Sequence, residues 1–227
     1  MNEIPGIINI FDGINPTLIS PTSPFSLPFY QTRQTLEDPE LYQNFLQNAV
    51  REFRKTRVYT HYKSFLMELG MDRCQLNSNL TSDMVTLEMH HNVLTIFDIA
   101  LILCEWLLAT TGYVTTFDLI YLLRQEHTNH RVQLVMLNIT KHQQYHNTDD
   151  IFIHPSMCFG KWWEFLELYN RGITKEIAKK LIFYINESMR VEGSTDGELS
   201  KLREKIKDWS EYNDQFTRVP TTNSNII

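Results

Sequence analysis

The sequence has few cysteines and no long apolar run. Its three cysteines are widely spaced and include no CxxC pair, which fits free thiols in a reducing compartment better than a disulfide framework. No stretch approaches the roughly 20 apolar residues of a membrane span, and the first residues lack the basic and apolar regions of a signal peptide. We therefore expect a cytoplasmic protein. Gly-rich phosphate loops, nucleophile elbows and EF-hand loops are also missing, so three widespread kinds of site are excluded.

The sequence also has fewer basic than acidic residues. The chain has 21 Lys and Arg against 27 Asp and Glu, a net charge of −6, whereas nucleic-acid-binding proteins normally concentrate basic side chains. Any DNA-binding face must therefore be local. One candidate for phosphate contacts is the group Arg51, Arg54, Lys55 and Arg57, in which the arginines are three residues apart and would share a face of a helix. A solvated helix end explains the same residues equally well.

Proline is concentrated at one end of the chain. Five of the eight prolines occur before residue 29. Proline removes a backbone donor, so these residues cannot form a long helix or a central strand. We expect residues 1–33 to form an extended arm, and we expect residues 214–227 to form a tail. With 42% hydrophobic and 21% charged residues, the remainder has the composition of a folded domain.

Apolar periodicity predicts a predominantly helical α+β fold. Residues 71–83 are predicted to form a loop, and the segment Met84–Met89, which alternates apolar and polar residues, is predicted to form a strand that ends at His90 and His91. A second strand is predicted near Val132–Leu137. Helices are predicted at Thr35–Tyr59, His61–Leu69, Thr95–Ala109, Thr116–Glu126, Lys141–His146 and, approximately, at 157–169, 174–189 and 198–213.

Histidines are concentrated between residues 90 and 146, where six of the eight lie. His142 and His146 are four residues apart on a predicted helix, so both imidazoles could reach one cation. His90 and His91 point to opposite sides of an extended strand, but at a strand end both can flank one cleft. One could then bind a metal while the other acts as a base, the two functions that phosphodiester hydrolysis requires.

These segments resemble the HNH nucleases, which have the ββα-metal fold and are also called His-Me finger nucleases. Leu87-Glu-Met-His-His91 is similar to the E-x-H-H strand of that family, and the segment from Val132 to His146 is similar to its second strand and H-x-x-x-H helix. Leu69-Gly-Met-Asp-Arg-Cys74 resembles the D-G-x-x-C approach to the first strand. The resemblance covers about residues 60–147 and is closest to the three-histidine motif of colicin-type DNases.

The resemblance implies a metal-dependent endonuclease that cleaves DNA. His91 would be the general base, and Glu88 would be the carboxylate that orients the site. The metal ligands would be His90, His142 and His146. The metal would be Zn²⁺, Ni²⁺, Mn²⁺ or Mg²⁺, and neutral imidazoles suit the first three better than Mg²⁺. Two further basic residues are close enough in sequence to contact phosphate, Arg131 and Lys141.

The implied organisation is a small ββα-metal domain with additions. The HNH-like domain would occupy residues 34–154, interrupted by a helical insertion at 95–127. A helical region would follow at 155–213. Because HNH-like proteins are abundant in phages and mobile elements, the resemblance also predicts a phage origin, and the host cytoplasm as the location.

Several alternatives stay open. The central Asn of the family is Gln133 here, with Asn129 nearby as a substitute. His127 and His130 could join the histidine site or lie at a solvated helix end, and His61 and His154 are expected to be structural or exposed. The alternative function is an inactive, HNH-derived structural or DNA-binding component of a phage or transcription assembly, whose arm and tail bind a protein partner. The acidic net charge favours that alternative, whereas His91 favours the enzyme.

Overall fold

The computed structural model describes residues 30–147, 151–193 and 197–217. Most of the predicted arm and of the predicted tail lies outside these ranges. The described residues confirm the α+β, mostly helical prediction, with eight α-helices and six short strands. The strands are β1 (Tyr30–Thr32), β2 (Arg73–Cys74), β3 (Asn77–Thr81), β4 (Leu87–His91), β5 (Tyr113–Thr115) and β6 (Leu134–Asn138). The helices are α1 (Pro39–Arg54), α2 (Arg57–Glu68), α3 (Ile96–Thr110), α4 (Thr116–Thr128), α5 (Ile139–Asn147), α6 (Trp162–Leu168), α7 (Lys175–Glu192) and α8 (Glu198–Thr217). Within the described ranges, no helix is long and apolar enough to cross a membrane.

The first predicted helix is in fact two helices. Helix α1 begins after Asp38, whose side chain accepts hydrogen bonds from two backbone N–H groups of the first turn, and it ends at Arg54. Thr56 then caps α2 by accepting a hydrogen bond from the backbone N–H of Tyr59. Arg57 is therefore the first residue of α2. The prediction that Arg54 and Arg57 share one helix face is wrong, because the chain turns between them.

Helix α3 lies at the centre of the main core. Most of its residues are buried, and it contacts α1, α4 and a short 3₁₀ helix at Asn170–Gly172. The 3₁₀ contact requires glycine, because a Cβ atom on Gly172 would lie 1.9 Å from the carbonyl oxygen of Ile102. Buried residues of α6, α7 and α8 belong to the same cluster as those of α1 to α4. Both sides of the predicted boundary at residue 154 thus contribute to one core.

A smaller unit contains most of the predicted site. Strands β4 and β6 pair antiparallel, with Leu87 opposite Asn138 and His91 opposite Leu134. Helix α5 begins directly after β6 and contacts both strands. The order is thus strand, strand and helix, with α3, β5 and α4 inserted between the two strands. The alternation of apolar and polar residues predicted that the first strand begins at Met84, but it begins at Leu87.

Two smaller pairings differ from the prediction or extend it. Residues 71–83, predicted to be a loop, contain the hairpin of β2 and β3. Gln75 joins that hairpin to the middle of β6, because its backbone N–H donates to the carbonyl oxygen of Met136 at 2.9 Å and its side chain accepts from the Met136 N–H at 2.7 Å. At the end of the predicted arm, β1 pairs with β5 and so ties that segment to the helical core.

Candidate functional site

A cleft of about 610 Å³ opens between β4 and the helical core. Strand β4 forms one wall, and α2 with the ends of α1 and α3 forms the other, while α5 contributes one residue. The lining residues are Arg54, Tyr59, Thr60, Lys63, Glu88, Met89, His90, His91, Thr95, Ile96 and His142. The structure thus brings Glu88, His90, His91 and His142 to one cleft, as the resemblance implied, together with one of the predicted arginines.

His90 and Glu88 occupy one face of β4, two residues apart, and both contact α5. The ring centroids of His90 and His142 are 5.0 Å apart, and Tyr145 packs against His90 at 4.5 Å. The carboxylate of Glu88 lies 2.5 Å from Nδ1 of His142. Two imidazoles are therefore adjacent, and a carboxylate orients one of them.

His91 occupies the opposite face of β4 and contacts α4 instead. Its Nε2 atom lies 3.0 Å from Nε2 of His127, and its ring is parallel to that of Tyr59 at a centroid distance of 6.4 Å. Burial lowers the pKa of His91 well below 6.5, and the electrostatic influence of His127, His90 and Arg54 lowers it further. Burial also lowers the pKa of His127 to about 4. Both imidazoles are consequently neutral at pH 7.

His127 does not lie at a solvated helix end. Its side chain is fully buried, where Phe53, Tyr59 and Tyr62 surround the ring, and its Nδ1 atom lies 2.7 Å from the carbonyl oxygen of Leu123. The solvated alternative for His127 is therefore wrong. The sequence signal that could have identified this contact is the spacing of His127 and Leu123, which share one apolar face of α4 four residues apart.

Three further histidines, His61, His130 and His154, lie outside the cleft lining. A hydrogen bond of 2.8 Å joins the Nδ1 atom of His130 to the hydroxyl of Tyr62, and its ring stacks on Phe65. His61 is exposed, and His154 contacts Ser156 and Glu192. His61 and His154 thus have the exposed and structural positions expected of them.

Two cations face the cleft. Arg54 at the end of α1 is one, and Lys63 on α2 is the other. Sequence reasoning missed Lys63, although its spacing of four residues from Tyr59 places the two on one face of α2. Arg51 hydrogen-bonds Asn48 at 2.9 Å and lies outside the cleft lining, as does Arg57. Of the three predicted arginines, the structure therefore brings only Arg54 to the site.

Arg131 has a structural role that the sequence did not reveal. Two of its nitrogens donate to the carboxylate of Glu126, at 2.6 and 2.8 Å, and that carboxylate is fully buried. The hydroxyl of Tyr169 donates to the same carboxylate at 2.7 Å. The predicted phosphate contact by Arg131 needs correction, because its guanidinium neutralises a buried charge. Lys141 is outside the cleft lining too, and its Nζ atom donates to Gln144 at 2.9 Å.

Gln133, at the position of the central Asn of HNH nucleases, links the strand pair to the C-terminal helices. Its backbone oxygen accepts a hydrogen bond from Asn92 at 3.1 Å, and its side-chain amide donates to the hydroxyl of Tyr184 at 3.0 Å. Asn129 is the exposed residue that ends α4. Neither side chain lines the cleft, so Asn129 does not substitute for the family's Asn there.

Two of the three predicted metal ligands, His90 and His142, have side chains among the described residues. In residues 30–147, 151–193 and 197–217, no group of three or more His, Cys, Asp or Glu side chains is arranged to hold a metal ion. The third predicted ligand, His146, lies one turn after His142 on α5, but its side chain is outside the described residues. The described donors are therefore His90 and His142, with Glu88 beside them.

A model of the bacteriophage G278-like virion protein family matches residues 22–215, most of the chain. The chain belongs to this family. The predicted phage origin is confirmed, whereas the match supports no nuclease family. No curated protein and no solved structure matches the chain. As a member of a virion protein family, this phage protein is expected to assemble with other proteins.

Proposed function

We propose that this phage protein is a virion component with a metal-dependent endonuclease site that cleaves DNA. One observation carries the proposal: β4, β6 and α5 bring Glu88, His90, His91 and His142 to one open cleft. The cleft offers adjacent imidazoles for a cation and a separate neutral imidazole for a proton, and basic residues line its other wall. The proposed reaction takes place in the cytoplasm of the host cell.

The cation would be held by His90, His142 and His146. The 5.0 Å between the rings of His90 and His142 fits two ligands of one ion, and Glu88 contacts His142 as carboxylates contact metal-bound imidazoles in many proteins. An imidazole held through Nδ1 presents Nε2 as its ligand atom. Neutral imidazoles favour Zn²⁺, Ni²⁺ or Mn²⁺ over Mg²⁺. When bound, such an ion neutralises charge that develops on the phosphate and on the leaving oxygen.

His91 would act as the general base. Its imidazole is neutral because it is buried, so it can accept a proton at neutral pH. In the proposed step a water oxygen forms a bond to phosphorus and the water proton moves to His91. The bond from phosphorus to the leaving oxygen then breaks, and that oxygen takes a proton from solvent.

Arg54 and Lys63 would bind the phosphate backbone. Both line the cleft opposite β4, and neither takes part in a salt bridge within the described residues. Two local cations would attract phosphate even though the chain has a net charge of −6. DNA contact would then be short and confined to the cleft.

The second candidate is a virion component without catalytic activity, in which the histidines hold a structural metal. Membership of a virion protein family and the acidic net charge favour this candidate. The two candidates differ at His91, because a structural metal site has no need of a neutral base beside it. A structural site would also fill its coordination positions with protein ligands.

Plasmid nicking by the metal-stripped protein tests the proposal. We expect supercoiled plasmid to be nicked after Zn²⁺, Ni²⁺, Mn²⁺ or Mg²⁺ is restored, and we expect His91→Ala to abolish nicking. His154→Gln is the matched control, since His154 lies outside the cleft and the variant should nick like the wild type. Absence of nicking with every metal would refute the endonuclease and favour the structural candidate. Nicking that survives in His91→Ala would refute His91 as the general base.

A further inference from the structure

We infer that His127 fixes the tautomer of His91 and leaves Nδ1 of His91 as the atom that accepts the proton. His127 is then a positioning residue, because it acts through His91 and does not line the cleft. Its contribution to catalysis rests on the proposed endonuclease. The tautomer itself does not depend on that proposal, since it follows from a chain of two hydrogen bonds.

The first hydrogen bond sets the tautomer of His127. Nδ1 of His127 lies 2.7 Å from the carbonyl oxygen of Leu123, and a carbonyl oxygen only accepts, so Nδ1 carries the hydrogen. The ring is fully buried among aromatic side chains, which disfavours a second proton and keeps its pKa at about 4. A neutral imidazole has one N–H group. Nε2 of His127 is therefore a hydrogen-bond acceptor.

The second hydrogen bond sets the tautomer of His91. Nε2 of His91 lies 3.0 Å from the acceptor nitrogen of His127, so it carries a hydrogen and donates it. Nδ1 of neutral His91 consequently has a lone pair. Within the described residues no group hydrogen-bonds to that nitrogen, and His91 lines the cleft. The parallel ring of Tyr59 packs beside His91 and helps to fix its orientation.

The two hydrogen bonds, from His91 to His127 and from His127 to Leu123, give the inserted helices a function in the site. His127 lies near the end of α4, within the insertion that separates β4 from β6. The insertion therefore supplies more than core packing, because it brings an acceptor against the back of His91. On the other face of β4, the Glu88 carboxylate contacts Nδ1 of His142 and orients that imidazole, as His127 orients His91.

Long-range ¹H–¹⁵N NMR on the full-length protein tests the tautomer directly, because the ¹⁵N shifts of an imidazole distinguish a protonated from an unprotonated nitrogen. We expect His91 at pH 7 to show a protonated Nε2 and an unprotonated Nδ1, and His127 to show the reverse. A His91 with hydrogen on Nδ1, or an equal mixture of tautomers, would overturn the inference. This measurement requires neither a variant nor nuclease activity.

Two variants of His127 and one control extend the test. His127→Phe keeps an aromatic ring but removes the acceptor, so His91 should lose its single tautomer. His127→Gln restores an acceptor oxygen and should recover it in part. Tyr62→Phe is the control, because Tyr62 packs against His127 but donates no hydrogen bond to His91. A His91 spectrum unchanged in His127→Phe would overturn the inference.

Kinetics on the same variants measure the positioning role. We expect His127→Phe to lower kcat for nicking by about tenfold to a hundredfold with KM unchanged, while Tyr62→Phe has the wild-type kcat. An unchanged kcat in His127→Phe would refute positioning even if the tautomer is as inferred. If the wild type nicks no plasmid with any metal, the proposed function fails, and the NMR result still decides whether His127 fixes His91.

Discussion

The two faces of strand β4 place neighbouring histidines in opposite environments. On one face, His90 contacts His142, whose imidazole lies beside the partly exposed carboxylate of Glu88. On the other face, His91 contacts buried aromatic rings and the neutral His127. Strand alternation alone separates the two side chains. Adjacent residues of one type thus gain different chemistry from what packs on each face.

Removing one histidine from each face of β4 tests whether the two faces have different functions. His91→Ala should lower the nicking rate by at least about a hundredfold, the usual contribution of a general base, yet leave Zn²⁺ binding intact. His142→Ala should weaken Zn²⁺ binding and nicking together. Calorimetric Zn²⁺ titration and plasmid nicking measure the two effects. Loss of Zn²⁺ binding in His91→Ala would show that metal binding is not confined to the His90 face of β4.

Acid should lower the stability of the folded protein through the protonation of His127, which contacts His91. The pKa of His127 is about 4 in the folded protein and 6.5 in the absence of burial, so only the unfolded chain takes up a proton between these values. The contribution to stability is thus complete above pH 6.5 and is lost as the pH falls towards 4. A pKa difference of 1 between the folded and unfolded chain corresponds to about 1.36 kcal/mol of stability, so we expect a loss of roughly 3 kcal/mol.

Urea unfolding between pH 7 and pH 4 checks this expectation. The free energy of unfolding of His127→Phe should fall less over that range than that of the wild type, because the variant has no imidazole to protonate. Equal pH dependence in the two proteins would contradict the buried, neutral state of His127.

The His90 face should respond to the loss of its carboxylate. Glu88→Gln should weaken Zn²⁺ binding about 10- to 100-fold, the usual effect of removing a group that orients a metal-bound imidazole. Glu192→Gln is the matched control, since the Glu192 carboxylate contacts His154 outside the cleft. NMR should find the His91 tautomer unchanged in both variants. Equal Zn²⁺ affinity in Glu88→Gln and the wild type would argue against a metal at His142.

The smallest expected effect concerns the wall opposite β4. Arg54→Gln should weaken DNA binding several-fold and lower the slope of log K against log salt by about 1, because one phosphate contact is lost. Arg57→Gln should change neither, since Arg57 lies outside the cleft lining. Fluorescence anisotropy over a salt series measures both variants. Similar slopes in the two variants would remove Arg54 from the proposed DNA-binding wall.

Much of the small unit could be predicted from local pattern. The alternation at Met84–Met89 and the apolar run at Val132–Leu137 predicted two strands, and the helix with His142 follows the second one. These features depend on residues close in sequence, where periodicity reports the backbone conformation. The helix break before Arg57 was missed, because neither glycine nor proline marks the Thr56 cap in the sequence.

Side-chain partners were harder to predict. Nothing near Arg131 in the sequence showed that Glu126 would be buried and would need a counter-charge. Lys63 was missed for a similar reason, since an exposed-looking lysine on a helix becomes part of a site only when β4 packs opposite it. Burial decides the role of a charged side chain, and burial depends on the whole fold.

Local sequence patterns are enough to predict a mostly helical α+β chain, the order of β4, β6 and α5, and the opposite orientation of His90 and His91. Each of these follows from backbone periodicity over a few residues. Tertiary packing brings His91 to His127, which is 36 residues away, and brings the hydroxyl of Tyr169 to the buried Glu126 carboxylate, 43 residues away. Such contacts depend on how separate elements pack. Their stability comes from the burial of side chains in the folded protein and not from local backbone conformation.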